Sequence, residues 1–224
     1  MTRIVQSFSV PDGSAAHLRL NEWKRDGANI SAMIQMLIES EEAINRDIIQ
    51  GDKWPREWKQ PAEIVAKKMA QLKCILFDVD GVFTDGTILR DGDGNEQRRF
   101  SVIDGHGIAL LRDSGLIVGI VSREPSAITK ARMEKLNMDE VHVGAKDKSE
   151  VLRVIKSRRG LANDEIAFMG DDVPDLLAFD EVGLRLAPSN AQPKVRNVAH
   201  WVSLKSGGNG AVREACEVIL SCRK

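Results

Sequence analysis

Short apolar runs recur along the later part of the chain, each closed by polar or glycine residues: Cys74–Val79 (CILFDV), Ile117–Val121 (IVGIV) and Glu165–Met169 (EIAFM). Runs that are apolar at successive positions suit strands buried on both faces of a parallel sheet. Between them, Ile108–Asp113, Ser126–Leu136, Ser149–Arg158 and Asp175–Phe179 carry apolar residues at helical spacing. Alternation of strand and helix predicts an α/β fold with an open, doubly wound parallel sheet of Rossmann-like type. One segment breaks the rhythm: Gly86–Ile103 places Asp91-Gly92-Asp93-Gly94 between two strand-like arms, the signature of a short hairpin insertion beside the first strand. Gly210–Leu220 is helical in pattern and is expected to pack on the body or on a neighbouring subunit. There is no internal repeat and no low-complexity tract.

The pattern divides the chain near residue 70, into a small mainly helical module with its linker (1–70) and the sheet domain (71–224). Gly51–Pro61 (GDKWPREWKQP), with two prolines and no clean period, is expected to be the connection. Ahead of it, Arg3–Val10, Ala15–Asp26 and Asn29–Glu41 give one strand and two helices, an order that resembles the ribbon-helix-helix fold. Such dimers place their strands in the DNA major groove. Here one strand face offers Arg3, Val5, Ser7 and Ser9, a poor set for reading bases. Residues 1–70 hold ten Lys or Arg against ten Asp or Glu, so the basic footprint of a phosphate-backbone binder is missing. Oligomerisation is the expected role of residues 1–50 over nucleic-acid binding.

Composition narrows the setting. With 224 residues, 42% hydrophobic and 29% charged, the chain can bury one substantial core and carry a small second module. A net charge of −1 gives no broad field for nucleic acid or anionic lipid, so any anion site must be local. Cys74, Cys216 and Cys222 are too few and too unevenly spaced for a disulfide framework or a zinc cluster. Residues 1–10 lack the apolar core of a signal peptide, and no stretch approaches the roughly 18 apolar residues of a membrane span. The expectation is a cytoplasmic protein with no membrane partner.

The chemistry gathers at strand ends, where open α/β sheets bind ligands. Leu76–Gly86 (LFDVDGVFTDG) sets Asp78 and Asp80 one residue apart after the first apolar run. A turn starting at Asp78 aims both carboxylates at one ligand while backbone carbonyls face a metal, and such hard oxygens suit magnesium. Gly81 permits the tight path. Ser122 follows the second run, Lys146 and Lys148 precede a helix, and Met169–Leu176 (MGDDVPDL) packs Asp171, Asp172 and Asp175 after the third. Each station has an ordinary explanation as a turn, a cap or a solvated charge. Three crowded aspartates are harder to excuse, because they repel unless a cation compensates them.

Taken in order, Asp78-Val79-Asp80-Gly81, Ser122, Lys148 and Gly170-Asp171-Asp172-Val173-Pro174-Asp175 resemble the four motifs of the haloacid dehalogenase superfamily. Asp78–Gly86, the short hairpin, Gly170–Asp172 and Gly207–Glu214 further resemble phosphatases of 3-deoxy-D-manno-octulosonate 8-phosphate and related nine-carbon sugar acids. This covers about residues 72–222, and the first seventy depart from it. The resemblance implies a capless phosphatase in which Asp78 is the nucleophile, forming an aspartyl-phosphate, and Asp80 the general acid and base. It implies Mg2+ on Asp78, the carbonyl of Asp80, and Asp171, with Asp172 or Asp175 direct or through water. Ser122 and Lys148 would hold the phosphoryl oxygens. Lys148 is preferred to Lys146 because it directly precedes the helix. A tetramer is implied whose hairpins and carboxy-terminal segments complete neighbouring sites, with Gly207–Glu214 touching a small phosphorylated substrate.

Arg123, next to Ser122, is a candidate for pairing with a substrate carboxylate, against the alternative of a surface arginine at a helix start. Asp104 is expected to cap the helix that follows it, leaving His106 structural. The rival functions are a same-superfamily phosphatase for another small phosphomonoester, and a DNA- or partner-binding regulator that keeps the fold without turnover. Intact Asp78, Asp80, Lys148 and Asp171 argue against the second.

Overall fold

The computed structural model describes residues 62–223. The amino-terminal strand-helix-helix expectation and the Gly51–Pro61 connection lie outside them. The described chain runs α1 (Ala62–Gln71), β1 (Cys74–Phe77), β2 (Leu89–Arg90), β3 (Glu96–Gln97), α2 (Val102–Asp113), β4 (Ile117–Val121), α3 (Ala127–Lys135) and β5 (Glu140–His142). It continues with α4 (Lys148–Arg159), β6 (Ile166–Met169), α5 (Leu176–Phe179), β7 (Leu184–Ala187), α6 (Pro193–Val198), β8 (Trp201–Val202) and α7 (Ala211–Cys222).

Six strands form one parallel sheet in the order β5-β4-β1-β6-β7-β8, with β1 and β6 side by side at its centre. The period of two along a strand explains the apolar runs. In β1, Ile75 and Phe77 join one core cluster while Cys74 and Leu76 join the other. In β6, Ala167 and Met169 face the first cluster, Ile166 and Phe168 the second. Helices supply the matching apolar stripes: Val65 and Met69 of α1, Leu111 of α2 and Ala215 and Ile219 of α7 on one side. Leu152 and Ile155 of α4, Phe179 of α5 and Val195 of α6 do so on the other. Both sheet faces are covered, as the unbroken apolar runs require.

Gly86–Ile103 folds as expected: β2 and β3 pair antiparallel, Leu89 with Gln97 and Arg90 with Glu96, around a turn in which Asp91 accepts from the N–H groups of Asp93 and Asn95. Two expectations are corrected. Helix α1 extends to Gln71 with Val65 and Met69 fully buried in the sheet domain's core, so the division near residue 70 falls at the end of a helix belonging to that domain. Asp104 does not cap its own helix, because α2 begins earlier, at Val102, capped by the Ser101 hydroxyl. Asp104 lies inside α2 and accepts from the N–H groups of Arg213 (2.9 Å) and Gly210 (3.4 Å), capping the start of α7 instead. That bond ties Gly210–Leu220 to the body of its own chain.

Candidate active site

Asp78 follows β1 directly, and its N–H donates to Met169 O at the end of β6 (2.8 Å), so the two central strands deliver their loops to one place. The chain then turns tightly, with the N–H groups of Phe83 and Thr84 both donating to Val79 O. Gly81 sits there at φ +89, and a Cβ at this position would overlap the Asp171 carboxylate. Both the left-handed backbone and the close approach therefore demand glycine. From the carboxy-terminal side, Gly207 lies so close to Gly81 O that it too has no room for a side chain, while Gly208 N–H donates to Val82 O (3.0 Å). Asn190 holds this segment through Gly207 N–H (2.8 Å).

Asp78, Asp171 and Asp175 bring carboxylate oxygens within 4.8 Å of one another. The cation among them is Lys148, only 3% exposed, which donates to Asp78 Oδ1 at 2.7 Å and Asp175 Oδ1 at 2.5 Å. Lys148 is the first residue of α4, after the Asp147 cap. Asp175 completes its bonding by accepting from the N–H groups of Asp171 (2.9 Å) and Asp172 (3.1 Å) through Oδ2. It therefore acts as a girder, fixing the lysine and the aspartate loop together. Ser122, 1% exposed, directly follows β4, with its Oγ accepting from Glu124 N–H (3.3 Å).

The charge balance is negative. Burial and the neighbouring Asp175 raise Asp78 to about 7, despite Lys148. Burial, then Asp78 and Asp175, raise Asp171 to about 8. Burial works against the Lys148 charge, but Asp78 and Asp175 outweigh it and raise its pKa. One lysine does not neutralise three clustered carboxylates, and Asp171 Oδ1 is buried with no hydrogen-bond partner. An orphaned buried oxygen in a carboxylate cluster that one lysine does not neutralise is what a hard divalent cation satisfies, so the residues present fit magnesium.

Comparison with known proteins agrees with this geometry. A family model described as haloacid dehalogenase-like hydrolase matches residues 123–214. The 3-deoxy-D-manno-octulosonate 8-phosphate phosphatase of Yersinia pestis is 33% identical over 159 residues, covering 71% of this chain and 85% of the relative. The chain belongs to the haloacid dehalogenase-like hydrolases. Among solved structures, a hydrolase of this superfamily from Legionella pneumophila is 40% identical with a TM-score of 0.70, covering 72% of this chain and 88% of its own. The phosphatase of Moraxella catarrhalis, solved with magnesium ion, phosphate ion and KDO molecule, is 34% identical with a TM-score of 0.71, covering 73% and 94%.

For this hydrolase, the residues singled out in the sequence fall into two groups. Asp78, Lys148 and Asp171 converge, together with Asp175, and Ser122 stands at the neighbouring strand end. Of the alternatives Asp172 and Asp175, it is Asp175 that stands in the carboxylate cluster; Asp172 is exposed, its Oδ1 accepts from Val173 N–H (2.7 Å), and it caps the short turn before α5. Lys146 is exposed and Lys148 buried. Arg123 is exposed. Asp80 turns its carboxylate to a residue the sequence reading passed over, Arg98 of the hairpin. No spacing rule announces Arg98, because its partner lies eighteen residues away across an irregular turn.

Proposed function

We propose that this phosphoric monoester hydrolase is a magnesium-dependent phosphatase whose substrate is the phosphomonoester of a small sugar acid, 3-deoxy-octulosonate or a nine-carbon relative. The observation that carries the reading is the buried Asp78–Lys148–Asp175 arrangement with the orphaned Asp171 oxygen beside it. The substrate class rests on relatives of 31–33% identity that are named for 3-deoxy-D-manno-octulosonate 8-phosphate.

Asp78 attacks phosphorus, an aspartyl-phosphate forms, and the bond to the sugar oxygen breaks. Asp80 gives its proton to the departing alkoxide, then takes one from the water that cleaves the aspartyl-phosphate and releases phosphate. Lys148 and Ser122 hold the transferring oxygens, the positioning and charge stabilisation on which phosphoryl transfer depends. Asp78, the Asp80 carbonyl and Asp171 would hold magnesium, which when bound offsets the negative charge that phosphate would otherwise meet. Asp175 keeps Lys148 in place.

Arg123, exposed at the mouth of β4, is the proposed partner of the sugar acid's carboxylate. The protein is proposed to work in the cytoplasm as a homo-oligomer, tetrameric by resemblance. Exposed Leu89 on the hairpin and Val102 and Ile103 at the start of α2 are the apolar surface an assembly would cover. Residues 1–61, ahead of α1, are proposed to contribute to that assembly.

The test is phosphate release by the full chain from a panel of phosphorylated sugar acids, with hexose phosphates and nucleotides alongside, with and without magnesium. Magnesium-dependent release that favours the sugar acids is expected. Equal or better turnover of the other phosphomonoesters would sink the substrate assignment.

A further inference from the structure

Arg98 follows β3 in the hairpin, and its charged side chain is 0% exposed. A guanidinium has five N–H donors in a rigid plane, and burial obliges each of them to find an acceptor. Nη1 pairs with Asp80 Oδ1, and Nε donates to Glu96 Oε1 at 2.6 Å. Nη2 is buried and has no partner among the described residues. A tether between hairpin and active-site loop would need only the first two bonds. The spare donor needs another explanation, since leaving a buried charged donor unmet is costly.

We propose that Arg98 is a substrate-positioning residue: Nη1 fixes the Asp80 carboxylate while the free Nη2 N–H donates to a phosphoryl oxygen of the incoming phosphomonoester. The inference rests on the phosphatase reading above and adds to it an anion contact supplied by the hairpin. The planar fork suits the task, because one rigid group serves a carboxylate and a phosphate oxygen at fixed separation. It also gives the hairpin a purpose: it carries a cation to the acid-base aspartate of its own chain.

The experiment is calorimetric titration of inorganic phosphate into the full chain at saturating magnesium, with turnover measured in parallel. Arg98→Gln is expected to weaken phosphate binding at least about tenfold and to raise KM correspondingly, the usual loss for a charge-assisted hydrogen bond. Glu96→Gln removes the Glu96 ion pairs with Arg98 and Arg90 but keeps the spare N–H, and is expected to stay within about threefold of the wild type on the same scale. If Arg98→Gln does not fold, Arg98→Lys is measured in its place against the same expectation. Unchanged phosphate affinity in the Arg98 variant would overturn the proposal, whatever happens to kcat. That result with a wild type that turns over sugar-acid phosphates would spare the functional reading. Lost affinity in the variant, from a wild type that hydrolyses no phosphomonoester, would do the reverse.

Discussion

Asp78 combines a nucleophile's position with a pKa raised to about 7 by burial and by Asp175, and Lys148 limits that rise. Replacing it by Asn keeps the shape and the bond to Lys148 but removes the attacking oxygen. Asp78→Asn is expected to lower magnesium-dependent phosphate release by several orders of magnitude with an unchanged circular dichroism spectrum; near-normal turnover would remove the central claim. Asp171, raised to about 8, makes a second prediction. Its carboxyl and that of Asp78 have folded-state pKa values above the unfolded value of 3.8, so between those limits the folded protein binds more protons than the unfolded one. Their contribution to stability is therefore fully present below about pH 4 and is lost as pH rises towards 8. Magnesium relieves the same repulsion, so its gain in melting temperature should be larger at pH 8 than at pH 6. Asp171→Asn should be more stable than the wild type at pH 8 without metal and respond little to magnesium. Equal magnesium gains at both pH values would refute the shared cause. At this scale the site was largely legible, because Asp78, Lys148 and Asp171 each follow a buried strand or open a helix. Asp172 and Arg98 were not, since the direction of an aspartate on a tight turn and the reach of a hairpin arginine depend on packing that no spacing encodes.

Elements were legible where the apolar pattern was continuous. Strands β1, β4 and β6 are buried runs that read as such, whereas β5 contains the buried Glu140, held by Arg159 (2.8 Å) and Arg158, and β7 contains the half-buried Arg185. Charged residues in three- and four-residue strands hide the pattern, and only pairing with β4 and β6 makes them strands. Helix α2 shows the same effect, as Gly105 and Gly107 dilute its first turns. The Asp104 correction belongs here: a cap was expected for the nearest helix, and the carboxylate instead serves a helix more than a hundred residues away. Asp104→Ala is expected to destabilise the protein by about 1–2 kcal/mol, the usual loss of a helix cap. It should also loosen the Gly207–Gly208 segment ahead of α7. Urea unfolding measures the first effect and hydrogen exchange at Gly208, whose N–H donates to Val82 O, the second. An unchanged midpoint would show that the two bonds to α7 contribute nothing net.

For the whole molecule, the open question is where the catalytic unit begins. The pattern along the chain suggested residue 70, but α1 places Val65 and Met69 in the core cluster that also holds Phe77 and Ile219. Burying such side chains stabilises by about 1.5–3 kcal/mol each. Losing the pair removes about 3–6 kcal/mol, a large share of the roughly 5–15 kcal/mol that holds a typical domain together. Two deletions should therefore behave differently. Removing residues 1–61 leaves α1 in place, and all four motif stations lie beyond residue 77, so magnesium-dependent phosphatase activity should persist. Removing residues 1–71 takes α1 away and should yield a protein that unfolds at markedly lower urea concentration or fails to accumulate. The shorter deletion also tests the proposed assembly role of the amino-terminal module, since light scattering should find fewer subunits per particle than in the full chain. An unchanged subunit count would assign assembly to the catalytic unit itself, with the apolar surface at Leu89, Val102 and Ile103 as the interface to mutate next. Tight, salt-sensitive and sequence-selective DNA binding by residues 1–61 would instead make the module a nucleic-acid reader, against its even balance of charge.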